Sequence, residues 1–449
     1  MKACAFILVV FLALSCVTAH AADYPAPKEG DFVVKDFQFK SGERMAELKL
    51  HYYTLGTPQK DAKGMVRNAV LILHGTGGSG RQFLTPAFGG VLFGAGQLLD
   101  AKQYFIILPD NVGHGQSSKP SDGLRMRFPH YEYDDMVELQ YRLVTQGLAL
   151  NHLRLVIGTS MGGMHAWLWG EQHPDFMSAL MPLASLPVEI AGRNRIMRKM
   201  MMDAIRTDPG WSNGEYKTQP RGLVTALDIM FIMGSSALQL QKDAPTRDKA
   251  DAVLADYISS RIKALDANDM LYYVDASRNY NPDPQLEKIK VPLTAINTVD
   301  DVINPPELQL IEKGIKRIKD AKLYVLSTTF GTRGHGTHSM PAIWQGWLAE
   351  LLENSGGPKR KVQARLSENL QDAAFSNQRC NQNRKSQGAV KTNLQDAAFS
   401  NQRCNRCNYA CSISAGGSGP ACFFVSPAVK CPLSGTRANN IPKKTMVSA

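Results

Sequence analysis

Cysteine is missing from most of this chain. Cys4 and Cys16 lie near the start, Cys380, Cys404, Cys407, Cys411, Cys422 and Cys431 lie near the end, and nothing between Cys16 and Cys380 can form a disulfide. A cysteine-free core needs no cross-link and suits either redox compartment. Long apolar runs are also missing: after the first 20 residues no stretch is long and apolar enough to span a membrane. Net charge is missing from the body. The chain carries +11 overall, but residues 356–449 hold 14 of its 51 basic and 3 of its 40 acidic side chains, so residues 1–355 balance at 37 against 37. A neutral body has no electrostatic footprint for nucleic acid. With 449 residues, 44% of them hydrophobic, the chain is long enough for a sizeable core.

Three regions follow. Lys2, the apolar run Ala5 to Val17 and the small-x-small site Ala19-His20-Ala21 read as a secretory signal peptide over residues 1–21. The run is short for an uncleaved anchor, so a secreted or periplasmic protein without a stable membrane anchor is expected, its mature chain beginning near Ala22. Residues 22–355 form the body. Residues 356–449 form a basic, polar tail in which NLQDAAFSNQRCN occurs at 369–381 and again at 393–405. Two copies make no solenoid. The composition reads as disordered, or as a product of how the reading frame is assigned. Cys404, Cys407 and Cys411 open like a zinc site, but the tail has no histidine and the spacing to Cys422 and Cys431 fits no finger. No metal or cofactor is expected.

The body alternates. Apolar, β-branched runs at Ala69–Leu73, Tyr104–Leu108, Leu153–Ile157, Val291–Asn297 and Leu323–Leu326 are of strand length. Helical patterns at Tyr133–Leu150 and Ser160–Glu171 fall between them. That order predicts an α/β fold with a mostly parallel sheet flanked by helices. Phe32–Phe39 and Ala46–Tyr53 predict an antiparallel pair leading into it. The alternation breaks at about residues 188–281, which are Met-rich, helical in pattern and too long for a loop; a helical cap inserted between strands is expected. Its methionines either line an adaptable apolar pocket or pack the cap onto the body. Ser339–Glu353 predicts a closing helix with Ile343, Trp347 and Leu351 on one face.

The strongest chemical signal is Gly158-Thr159-Ser160-Met161-Gly162, preceded by a strand pattern and followed by a helix pattern. Small residues at that spacing let strand and helix close on a tight turn that exposes the serine hydroxyl. A serine needs a base, and in this arrangement acid and base follow in the order Ser, Asp, His. Asp301, with Asp300 as the weaker choice, lies past the strand 291–297. His335, in Gly334-His335-Gly336, lies past 323–326, while His338 heads the closing helix in a capping or surface position. Backbone N–H groups of Thr76, in His74-Gly75-Thr76-Gly77-Gly78, and of Met161 are the expected oxyanion donors. His74 and His114 read as structural hydrogen-bonders, and His165 as packed.

The strand-turn-helix with Asp301 and His335 resembles the α/β-hydrolase fold. Phe128-Pro129, Asp135-Met136-Val137, Gln140, Gly158–Met164, Asp208-Pro209-Gly210-Trp211 with Gly214 and Tyr216, and Asp301 with Pro305-Pro306-Glu307 resemble its homoserine O-acetyltransferase branch over roughly residues 30–353. The resemblance implies a Ser-Asp-His acyl transferase or a relative that hydrolyses esters; a cap-to-cap homodimer would be in keeping with it. Three polar substrate anchors of that branch depart here: the Asp after the histidine is Gly336, and the Arg and Tyr of the cap helix fall at Leu227 and Gly234. Together with secretion, away from cytosolic acetyl-CoA, these departures point to a serine hydrolase acting on a small ester or acyl substrate. Homoserine or serine acyl transfer from acyl-CoA is the alternative.

Overall fold

A computed structural model of the protein describes residues 24–356. The signal peptide and the duplicated, Cys-containing tail lie outside the described residues. The sheet has eight strands: β1 (Lys28–Gln38), β2 (Arg44–Leu55), β3 (Ala69–Leu73), β4 (Phe105–Pro109), β5 (Leu155–Thr159), β6 (Leu180–Leu183), β7 (Leu293–Thr298) and β8 (Ala321–Leu326). Their spatial order is β1-β2-β4-β3-β5-β6-β7-β8. The first two pairings are antiparallel and the rest parallel.

The central strands are apolar without alternation because both of their faces are covered. In β3, Ala69, Leu71 and Leu73 enter one core cluster, and Val70 and Ile72 the other. β4 divides likewise, Phe105 and Ile107 against Ile106 and Leu108. Strand periodicity of two thus feeds both layers from one run of sequence. The first layer contains α1 (Tyr133–Arg142) and α2 (Met161–Gln172), including Trp167 and Trp169. The second contains Phe83, Phe88 and Phe93 with the closing helix. That helix, Pro341–Asn354, buries Trp344, Leu348, Leu351 and Leu352, with Ile343 and Trp347 partly buried at its margins. Its apolar face is therefore centred one residue away from the Ile343–Trp347 line, because Trp344 packs edge-on against Phe88 at 5.9 Å. The 133–150 helix is α-helical only to Arg142 and continues as a wider π turn over Leu143–Gly147.

β1 forms one edge of the sheet. Its pairing with β2 runs Lys28↔Thr54 through Lys35↔Glu47 and resumes at Phe37↔Met45. Asp36, opposite Ala46, drops out of the pairing at φ 49 without any change of register, so the extended backbone of the edge is interrupted there.

Between β6 and β7 lie five helices: α3 (Gly192–Arg206), α4 (Gly222–Gly234), α5 (Ala237–Asp243), α6 (Arg247–Arg261) and α7 (Ala267–Asp275). α3, α4 and α7 share a third apolar cluster that includes Met202, Ile205, Trp211, Leu223, Leu227 and Leu271, and α6 packs against it through Tyr257 and Ile258. The Asp208 carboxylate accepts the Gly210 and Gly222 N–H groups at 2.7 and 2.6 Å, stitching the Asp-Pro-Gly turn to the start of α4. These helices are fastened to the body where Asp269 of α7 accepts the Ser121 N–H at 2.8 Å and its hydroxyl at 2.7 Å. Among the described residues no single helix is long and apolar enough to cross a membrane.

Candidate active site

Parallel register brings the carboxyl ends of β3, β5 and β6 together, with Leu73 beside Gly158 and Gly158 beside Pro182. Ligands collect at such ends in open α/β sheets. Ser160 sits there, between β5 and α2, at φ 55 and ψ −114. This is costly backbone for a residue with a Cβ. The two flanking glycines explain why it persists. A Cβ on Gly158 would stand 1.9 Å from the Gly162 carbonyl oxygen, and one on Gly162 would stand 2.0 Å from the Leu73 carbonyl oxygen. The Ser160 N–H donates to Leu183 O at 2.9 Å and its carbonyl accepts from Met164 N at 3.0 Å, pinning the turn on both sides.

Asp301 follows β7 and His335 lies in the short helical turn Gly334–Ser339 after β8. The three side chains form one chain: His335 Nε2 is 2.8 Å from Ser160 Oγ, and His335 Nδ1 is 2.8 Å from Asp301 Oδ2. Asp301 is 1% exposed. Its Oδ1 accepts the Ile303 and Asn304 N–H groups at 2.8 and 3.0 Å, and its Oδ2 also accepts from Asn304 Nδ2 at 3.0 Å. Burial pushes the Asp301 carboxyl up, but the His335 charge and the bonds from His335 and Asn304 outweigh it and hold it below the usual carboxylate range. An ionised carboxylate there fixes Nδ1 as the protonated nitrogen and leaves Nε2 facing Ser160 as an acceptor. Asp300 turns elsewhere and accepts the Ser236 hydroxyl at 2.7 Å.

The other histidines are not spare bases. His74 donates from Nδ1 to Gly75 O at 2.8 Å and accepts the Asn111 N–H at Nε2, 3.1 Å away; burial holds it below its ordinary range. His114 stacks on Tyr273 and is held well below its ordinary range by burial. His165 accepts from Gln140 and burial lowers it to about 3. His338 departs from the surface or capping position expected of it. Its carbonyl accepts the Trp344 indole N–H at 3.1 Å, its Nδ1 is buried, and burial together with the His335 charge lowers it to about 3. It lies in the turn Gly334–Ser339, ahead of the helix that begins at Pro341, and is half-buried overall.

Ser160, His335 and the Gly75–Gly78 loop open onto a cavity of about 450 Å³ beneath the inserted helices. Gly75 lies so close that a Cβ on it would be 3.3 Å from Ser160 Cβ. Thr76 borders the cavity with its hydroxyl buried and unpartnered. Met161, as first residue of α2, has an N–H with no acceptor in its own helix, while its side chain is buried in the core. Of the methionines, Met201, Met230 and Met233 line the cavity, Met202 is packed inside the helical cluster and Met200 is half exposed. Gly336 and Gly234 border the cavity. Leu227 does not; it is fully buried among the helices. Two residues of consequence were not singled out in the sequence, Asn304 and Arg198. An Asp-x-x-Asn spacing ahead of Pro305 was the available sign for Asn304. Nothing in the pattern of α3 marks Arg198.

This fold and elbow geometry agree with a direct comparison. Residues 68–326 match the family described as alpha/beta hydrolase fold, and the chain belongs to that family of enzymes. Within it the chain is similar to a protein named "Probable acyltransferase" from Methanothermobacter thermautotrophicus, 29% identical over 305 residues that span 68% of this chain and 92% of the relative. It is also similar to homoserine O-acetyltransferase from Haemophilus influenzae, 28% identical over 315 residues, 61% of this chain and 85% of the relative. The homoserine O-acetyltransferase-like branch noted in the sequence is thus supported by similarity over 61–68% of the chain. Among solved structures, homoserine O-acetyltransferase from Bacillus anthracis superposes with TM-score 0.64 at 20% identity, over 75% of this chain and all of that one. An acetylester hydrolase from Corynebacterium glutamicum superposes with TM-score 0.64 at 22% identity, over 73% and 96%. At those identities the superpositions speak for the fold.

Proposed function

We propose that the protein is a secreted or periplasmic serine hydrolase that cleaves an ester or related acyl substrate through an acyl-enzyme on Ser160. The observation that carries this is the unbroken chain from Asp301 through His335 to Ser160 at the floor of the cavity, with both links at 2.8 Å. In the first half-reaction the Ser160 oxygen attacks the carbonyl carbon while His335 Nε2 takes the hydroxyl proton. The Thr76 and Met161 N–H groups receive the oxyanion. The C–O bond to the alcohol then breaks, and His335 returns the proton to the leaving oxygen. In the second half-reaction water attacks the acyl carbon while His335 Nε2 takes its proton; the bond to Ser160 Oγ then breaks, His335 returns the proton to that oxygen, and the acid leaves. Asp301 holds the ring and balances its positive charge throughout.

Hydrolysis is preferred to transfer because Gly336 and Gly234 present no polar side chain to the cavity where the homoserine-binding branch carries an acid and a tyrosine. The curated relatives favour the alternative, homoserine or serine acyl transfer from acyl-CoA. One assay separates them: purified protein with p-nitrophenyl acetate, with and without homoserine. Nitrophenol release indifferent to homoserine, and lost by a factor on the order of 10⁴ or more in Ser160→Ala, is the expected result. Acceleration by homoserine with formation of O-acetyl-homoserine would replace hydrolysis by transfer. Export rests on residues 1–21 and is checked by N-terminal sequencing of the protein recovered outside the cytoplasm, which should begin near Ala22.

A further inference from the structure

Arg198 is 4% exposed, yet it lines the cavity shared with Ser160 and His335. Among the described residues its guanidinium makes a single hydrogen bond, Nε to Asn194 Oδ1 at 3.0 Å, one turn back on α3. Among those residues it takes part in no ion pair. Its two terminal nitrogens are therefore left without a protein acceptor. A guanidinium withdrawn from water without a counter-charge is expensive to fold around, and a partner that arrives with the ligand removes that cost. The rest of the cavity has the same sign. Arg261 and Arg333 also border it, both exposed, and the single carboxylate outside the Ser160–His335–Asp301 chain, Asp243, is exposed and accepts from Gln239 at 2.6 Å.

We infer that Arg198 is a specificity-determining residue that receives a carboxylate of the substrate, so that the enzyme acts on esters bearing an anionic group. This rests on the hydrolase reading of Ser160. The planar fork of arginine suits a carboxylate, which can accept both terminal nitrogens side by side. The residue comes from α3, whereas the arginine position suggested by resemblance falls in α4 at Leu227, away from the cavity. No acidic side chain of the cavity stands next to His335 to receive an ammonium group, so the substrate class is an acidic ester rather than an amino-acid ester.

The test uses two matched pairs on the full protein. In one pair the charge is on the acyl side: the p-nitrophenyl monoester of adipate against p-nitrophenyl hexanoate. In the other it is on the leaving group: 4-acetoxybenzoate against phenyl acetate. The readout is the ratio of kcat/KM within each pair, measured on the same sample, which is indifferent to the fraction of active enzyme. In the wild type the charged member should win by about tenfold or more in at least one pair, chiefly through KM, and that pair tells which side carries the anion. Arg198→Met should bring the ratio to about one, and Arg198→Lys should restore part of it. Ratios near one in both pairs for the wild type overturn the assignment whether or not the variants fold, as does a ratio retained in Arg198→Met. A wild type that cleaves no ester and takes no fluorophosphonate label on Ser160 overturns the hydrolase reading, and the Arg198 assignment falls with it. Labelling and cleavage with ratios near one overturn Arg198 alone.

Discussion

The floor and the roof of the cavity are built on different principles. The floor is main chain against main chain: β5, α2 and the Leu73 carbonyl approach so closely that no Cβ fits at Gly158 or Gly162, and Ser160 is held at φ 55 as a result. The roof is side chain against side chain: Met201, Met230 and Met233, which are flexible, line the cavity together with a guanidinium that is only half satisfied. A nucleophile must sit within tenths of an ångström of its base, and backbone contacts supply that tolerance. Substrate choice needs no such rigidity, and unbranched thioethers can adapt to it.

The sharpest way to break the contrast is to add one methyl group to the floor. In Gly162→Ala the new Cβ meets a backbone oxygen that cannot move aside, so a loss of stability of more than about 4 kcal/mol is expected. Thermal unfolding of the soluble fraction, if any forms, reads it. Next comes the pair Asp301→Asn and Asp300→Asn. The first should lower kcat by roughly 10³–10⁴-fold, since an amide can hold His335 in the wrong tautomer. The second changes only the acceptor of the Ser236 hydroxyl, outside the Ser160–His335–Asp301 chain, and should stay within about threefold. Equal losses in both would mean that the acid has been misassigned.

The smallest effect concerns the fastening of roof to floor. Burial pushes the Asp269 carboxyl up to about 7, against the two bonds from Ser121 that lower it. Because its folded value lies above the ordinary 3.8, the neutral acid is favoured by the fold. Its contribution is fully present below about pH 4 and is lost as the pH rises through about 7. Asp269→Asn should therefore flatten the decline of the melting temperature between pH 5 and 8.5, by the equivalent of about 1–3 kcal/mol. A decline of the same slope in the variant would assign it elsewhere, for instance to Glu171, which burial pushes up to about 8.

Much of the floor was legible in the sequence because it is written locally. The glycine spacing around Ser160, and an acid and a histidine just past two strand patterns, are short-range signals, and the structure brings those three side chains together. β6 was not legible: four residues with Pro182 among them give too little pattern. The roof was legible only as helical. Which methionines face the cavity, that Leu227 faces away from it and that Arg198 faces into it all depend on how α3 and α4 pack, and periodicity alone does not report that. His338 was only partly legible for a related reason: the helix starts two residues later than its pattern suggested, which leaves His338 half-buried in the preceding turn.

The skipped pairing at Asp36 has a consequence beyond the active site. A sheet of eight strands ends in two open borders, and an open border is a template on which a second chain can grow. Here Lys28, Glu29, Asp31, Lys35 and Asp36 stand exposed along the β1 border, and the left-handed backbone at Asp36 interrupts it. An incoming strand would meet mixed charges and a broken ladder. A crowded solution of this protein is thereby denied one ready route to fibrous assembly.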